Sequence, residues 1–162
     1  MQKQKTLIST SAFLQNKQGK FLFLRRHDDA KWGASQWQLP GGKVDAKENN
    51  INAALQREIF EEISGKVSGL MLAGIGVTPI VSQKYLKKGF RWHVRMYYAG
   101  KLNGKIKLSK EHNDFAWFSL QEALEYDLVN GLKKFIKNKM LKKKSKQKTK
   151  PKLKKVKRFL RR

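Results

Sequence analysis

The stretch Leu39-Pro40-Gly41-Gly42-Lys43-Val44, followed by Glu48 and then by Arg57-Glu58-Ile59-Phe60-Glu61-Glu62-Ile63-Ser64-Gly65, limits this chain more than any other. A Pro-Gly-Gly turn leads through a short acidic loop into a helix with glutamates at i, i+3 and i+4. At about 100° per residue, Glu58, Glu61 and Glu62 fall within roughly a third of the helix circumference. Ile59, Phe60 and Ile63 lie on another arc, so the helix is expected to bury one side and offer carboxylates on the other. Like charges on one helix face repel each other. A cation among them relieves the repulsion.

Upstream, Thr6 to Leu14 and Lys20 to Arg26 read as strands joined by the turn Asn16-Lys17-Gln18-Gly19, an expected hairpin. Trp37 to Leu39 is a short extended piece, because Pro40 steers its predecessor away from helical geometry. The helix is predicted from Asn49 or Asn50 to about Ser64, with Gly65 as the residue after its C-cap. Lys66 to Val81 reads as one or two strands with a bend near Gly74 to Pro79, Ser82 to Gly89 as a basic loop, and Phe90 to Gly100 as a strand. Phe115 to Phe118 is a short strand, and Ser119 with Glu122 has the spacing of a capping box. Leu128 to Met140 is amphipathic at helical spacing.

The segment Gly42 to Gly65 resembles the signature of the Nudix hydrolases, in which a glycine is followed after five residues by Glu, then by Arg-Glu and Glu-Glu on one helix. Gly42, Glu48, Arg57, Glu58, Ile59, Glu61 and Glu62 match by type. Eight residues rather than seven separate Glu48 from Arg57, and Ser64 stands where the family has glycine. The extra residue falls in a loop, where it costs little, and leaves the three helix glutamates in register.

The resemblance implies an α/β/α sandwich around a mixed β-sheet. It also implies Mg²⁺-dependent hydrolysis (Mn²⁺ as the alternative ion) of a nucleoside diphosphate linked to a further group. Cleaving a phosphoanhydride requires charge neutralisation on phosphate oxygens and an activated water. Hard divalent cations supply both and prefer oxygen ligands. Carried over by position, Glu61 and Glu62 are the expected metal ligands, Glu58 a ligand or the base that orients water, Glu48 a lesser ligand, and the Gly42 carbonyl a further oxygen. Arg57 is expected to orient the glutamates. Glu111, upstream of Trp117, is the candidate acid from across the cleft, as in the mutator-type branch. Arg25, Lys43 and Trp37 are the candidate substrate contacts. The expected substrate is a (deoxy)nucleoside triphosphate, oxidised forms included, cleaved to the monophosphate and pyrophosphate. The alternatives are dinucleoside polyphosphates, ADP-ribose or capped RNA. In a further alternative, the domain is idle and binds RNA through a basic tail.

The net charge of +25 is unevenly placed. Residues 1–127 hold 20 Lys and Arg against all 12 acids, and residues 128–162 hold the other 17 and no acid. This divides the chain into a domain, 1–140, and a Lys/Arg-rich tail, 141–162, too poor in apolar residues to order on its own. The tail is suited to non-specific contact with nucleic-acid phosphates, and in a eukaryote to nuclear targeting. Cysteine is absent, which excludes disulfides and zinc-thiolate sites. There is no signal-peptide core and no 18-residue apolar run, so a cytoplasmic protein without a membrane span is expected.

Overall fold

The computed structural model describes residues 4–148. Its elements are β1 (Lys5–Leu14), β2 (Phe21–Arg26), β3 (Trp37–Gln38), α1 (Ile51–Ile63), β4 (Lys66–Pro79), α2 (Gln83–Lys87), β5 (Phe90–Asn103), β6 (His112–Phe118), α3 (Leu120–Ala123) and α4 (Leu132–Lys148). They form two three-stranded sheets, β1-β5-β4 and β3-β2-β6. The first is mixed, with β1 parallel to β5 and β4 antiparallel to it. The second is antiparallel.

Period-2 alternation along the strands divides the core into two halves. Ala12 and Leu14 of β1, Leu22 and Leu24 of β2 and Tyr98 of β5 pack with Leu55, Ile59 and Ile63 of α1. Their neighbours Phe13, Phe23 and Tyr97 point the other way, into a second cluster with Phe118, Leu128, Leu132 and Ile136. The strands are therefore sandwiched between α1 and α4, the expected α/β/α arrangement. Burying each such side chain fully is worth about 1.5–3 kcal/mol, so the two clusters dominate the stability.

Several local expectations are corrected. The β1–β2 hairpin closes only at its turn, through an isolated bridge between Gln15 and Phe21, after which the strands part into different sheets. The Ser82–Gly89 segment contains a short helix, α2. Helix α1 starts as expected, with the Asn50 side chain accepting from the N–H groups of Asn52 and Ala53. Its C-cap is Ser64, with Gly65 following as expected, but the left-handed backbone falls on Ser64 itself (φ 55°). Phe60 is exposed, while Glu62 is buried. Leu128 lies outside α4, in a parallel bridge with Trp37. Helix α4 runs through the expected boundary at residue 140 to Lys148. The rest of the expected tail, 149–162, lies outside the described residues. Among the described residues no helix is long and apolar enough to cross a membrane.

Candidate active site

The Pro40–Val44 segment lies along the free edge of β1. Thr10 N–H donates to the Gly42 carbonyl (2.8 Å), Ala12 N–H to the Pro40 carbonyl (2.9 Å), and Val44 N–H to the Ile8 carbonyl (3.0 Å). Gly41 adopts φ 136°, and a Cβ there would meet Ser11 Cα at 2.8 Å and the Thr10 carbonyl carbon at 3.0 Å. No other residue type fits that close approach of two backbones. Gly42 is needed for a different reason. A Cβ on it would enter the space occupied by the Glu58 carboxylate, coming within 2.9 Å of all three carboxyl atoms. The turn is thus a cradle for the first helix glutamate. The Gly42 carbonyl is turned toward Thr10, so of the two glycine carbonyls only that of Gly41 accepts no hydrogen bond among the described residues.

Arg57 ties the acids together. Its Nε and Nη2 donate to the two Glu48 oxygens (2.8 and 3.1 Å), its Nη1 to Glu58 (2.9 Å) and Glu61 (3.1 Å), and its Nη2 also to the Lys43 carbonyl (3.1 Å). The extra loop residue before the helix therefore does not expel Glu48 from the group. These bonds hold the Glu48 carboxyl below its ordinary range, helped by the Asp45 N–H. Burial pushes Glu58 up, and Arg57 opposes the shift.

Glu62 is the most enclosed acid, at 4% exposure. Gly41 N–H donates to its Oε2 (2.7 Å) and Gln38 Nε2 to its Oε1 (3.1 Å). Burial raises its carboxyl well above the usual value, and the charges of Glu58 and Glu111 raise it further. Gln38 Nε2 also donates to His112 Nε2 (3.0 Å). That contact makes Nδ1 the protonated nitrogen, buried with no partner among the described residues.

Glu111 is exposed, and its charge acts on both Glu58 and Glu62. Arg25 is turned elsewhere, toward Asp28 (2.8 Å) and Asn113 (3.1 Å). The neighbouring Arg26 faces the site instead, reaching Gln38 Oε1 at 3.4 Å and exerting its charge on Glu62. Trp37 is not a surface contact but a core residue, 9% exposed and packed edge-on to Phe118 and Tyr126. Lys43 lies over the Tyr85 ring and donates to its hydroxyl. Sequence reasoning missed Gln38 and the burial of His112, and of the strand-end pair Arg25 and Arg26, either of which could reach a phosphate, it chose Arg25. Gln38 had a usable signal, standing two residues before the Pro-Gly-Gly turn on a strand that must lead into it.

An oxygen-rich helix face, bound to a glycine turn and braced by one arginine, defines a site for anhydride chemistry on phosphates. Residues 5–139 match the family model of the NUDIX domain. This protein therefore belongs to the Nudix family, and it is a hydrolase of pyrophosphate bonds. Among its relatives is the nucleoside triphosphatase NudI of Escherichia fergusonii, 31% identical over 130 residues that cover 78% of this chain and 89% of the relative. The NudI of Escherichia coli strain SE11 is 27% identical over 143 residues, covering 86% and 99%. In structure the chain is similar to the MutT protein from Methanosarcina mazei, with a TM-score of 0.70, 25% identity, and 89% and 99% of the two chains covered.

Nudix hydrolases generally use a divalent metal ion. Among the described residues, no three acidic or imidazole groups stand as a ready-made ligand set, because Arg57 and Gln38 hold the carboxylates. The chemistry of the donors nevertheless suits a hard cation: carboxylate oxygens from one helix beside an open glycine carbonyl, with no thiolate.

Proposed function

We propose that this protein hydrolyses a (deoxy)nucleoside triphosphate, oxidised forms included, to the monophosphate and pyrophosphate in the presence of Mg²⁺. The observation that carries this reading is the joining of Glu48, Glu58 and Glu61 by Arg57 against the Gly41-Gly42 turn, with Glu62 buried behind them. The curated NudI relatives are nucleoside triphosphatases by name, which supports the substrate class.

Glu58, Glu61 and Glu62 would hold the Mg²⁺, with the Gly41 carbonyl beside them. Bound there, the ion would neutralise phosphate charge and lower the pKa of water. Arg57 fixes the directions of Glu58 and Glu61, so that little reorganisation is needed when substrate arrives. Glu111 acts on the same acids, is not bound by Arg57, and is suited to accept a proton from water. Arg26 is placed to counter phosphate charge.

The test is pyrophosphate release from a panel of nucleoside triphosphates with Mg²⁺, with ADP-ribose and a dinucleoside polyphosphate as further arms. Wild type should turn over at least one triphosphate best, and Glu62→Gln should lower kcat by about 100-fold or more. Preference for ADP-ribose or the dinucleotide would overturn the substrate class, and full activity of Glu62→Gln would overturn the ligand assignment.

A further inference from the structure

The face of the β1-β5-β4 sheet turned away from α1 carries a polar row beside the glycine turn. Alternation places Ser9 of β1 and His93 and Arg95 of β5 on the same face as Phe13 and Tyr97. Ser9 pairs across the strands with Arg95 on one side and bridges to Lys43 on the other. Its hydroxyl lies 2.7 Å from His93 Nε2 and accepts from Arg95 Nε at 3.3 Å. Beyond Arg95 the next strand places Gly76, over which the Tyr97 ring lies, and Lys43 with Tyr85 borders the row.

Arg95 is half-buried, yet among the described residues it forms no ion pair with any carboxylate. The Ser9 and Tyr97 hydroxyls take part of its donor capacity, and the remaining N–H groups of the guanidinium call for acceptor oxygens from elsewhere. The bridge between Ser9 and Lys43 sets the row beside the glycine turn, on the sheet face turned away from α1, where the part of the substrate that is not cleaved would lie. Burial, and then the charges of Arg95 and Lys43, lower the His93 pKa to about 4, so the ring is neutral at neutral pH. When the Ser9 hydroxyl gives its hydrogen to Nε2, His93 Nδ1 is a donor as well, and the row offers only donors.

We propose that Arg95, positioned by Ser9, determines nucleobase specificity by donating to the carbonyl oxygens of a keto base (guanine, uracil or thymine) in preference to adenine or cytosine. This rests on the nucleoside triphosphate reading given above. Arg95 provides two parallel N–H groups matched to a carbonyl edge, whereas an exocyclic amine presents a donor to a donor.

The experiment is calorimetric binding of GMP, UMP, AMP and CMP to the full-length protein, with inorganic triphosphate as a base-free probe. Wild type should bind GMP or UMP more tightly than AMP and CMP. Arg95→Ala should weaken that binding about 10- to 100-fold, leave AMP and CMP within about threefold, and leave inorganic triphosphate unchanged. Arg95→Lys should fall between, because it keeps the charge and loses the fork. Ser9→Ala is a second route to the same loss of discrimination if Arg95→Ala melts early. Equal weakening toward all four monophosphates and inorganic triphosphate would overturn the proposal and make Arg95 a phosphate contact. Unchanged binding of every ligand, or a wild type with no keto preference, would overturn it too. In each of these cases, retained triphosphate hydrolysis leaves the underlying reading standing, whereas absence of hydrolysis of any triphosphate removes both.

Discussion

The two glycines of the turn can be separated experimentally, because they are glycines for different reasons. In Gly41→Ala the new methyl meets backbone: Ser11 Cα at 2.8 Å and the Thr10 carbonyl carbon at 3.0 Å, on a residue held at φ 136°. A side chain in that region of φ costs about 1–3 kcal/mol, and forcing the backbones apart about 1–3 kcal/mol more. Relief would require stretching the Thr10–Gly42 and Ala12–Pro40 hydrogen bonds. A loss of about 3–5 kcal/mol is expected, against a total stability of about 5–15 kcal/mol. At about 2–4 °C per kcal/mol, Tm should fall by about 10 °C or more. In Gly42→Ala the methyl meets first the Glu58 carboxylate, the far end of a flexible side chain, and Gly42 has no positive φ to strain. The carboxylate swings aside and its 2.9 Å bond to Arg57 is lost. Stability should drop by about 1 kcal/mol or less, while kcat/KM falls about 100-fold, the usual effect of displacing a reacting group by about an ångström. Thermal melting and pyrophosphate release, measured on both variants, check the pair. Equal melting losses, or a Gly42→Ala enzyme within about threefold of wild type, would refute the division of roles.

Ser64→Gly should stabilise the protein by about 0.5–1 kcal/mol without changing kinetics, because the left-handed strain at φ 55° outweighs the added freedom of the unfolded chain. The expected rise in Tm is about 1–4 °C. His93 and His112 should titrate near pH 4 in an NMR titration of the imidazole protons, well below the ordinary 6.5, because both are desolvated and lie near arginines. With depressed folded values, their contribution to stability is complete above pH 6.5 and is lost as pH falls through 6.5 toward 4, which melting against pH will show. A midpoint near 6.5 for either ring would contradict its placement.

The motif from Leu39 to Gly65 carried most of the fold and the centre of the site. Spacing alone put Glu58, Glu61 and Glu62 on one helix, and the cap at Asn50 was legible from residue type. Burial was not, because it depends on distant strands. Glu62 looks equivalent to Glu61 in sequence, yet it is enclosed by Gln38, Gly41 and His112. Trp37 beside a glycine turn suggests a base contact, but Phe118 and Tyr126 arrive from the far end of the chain to pack on it. The choice between Arg25 and Arg26 turned on a register shift in the β2–β6 ladder between those two residues, which spacing does not reveal. The β1–β2 hairpin was expected from local turn chemistry, and long-range pairing of β1 with β5 overrode it.

The three hydrogen bonds that fasten the glycine turn to β1 have a consequence away from catalysis. β1 is the outer strand of its sheet, and its exposed N–H and C=O groups would be a template for another chain. The turn occupies that position from Pro40 to Val44, so the loop that shapes the reaction also shields the sheet from self-association. Substitutions that loosen it should therefore be recognised first by poor soluble yield, before any assay of turnover is made.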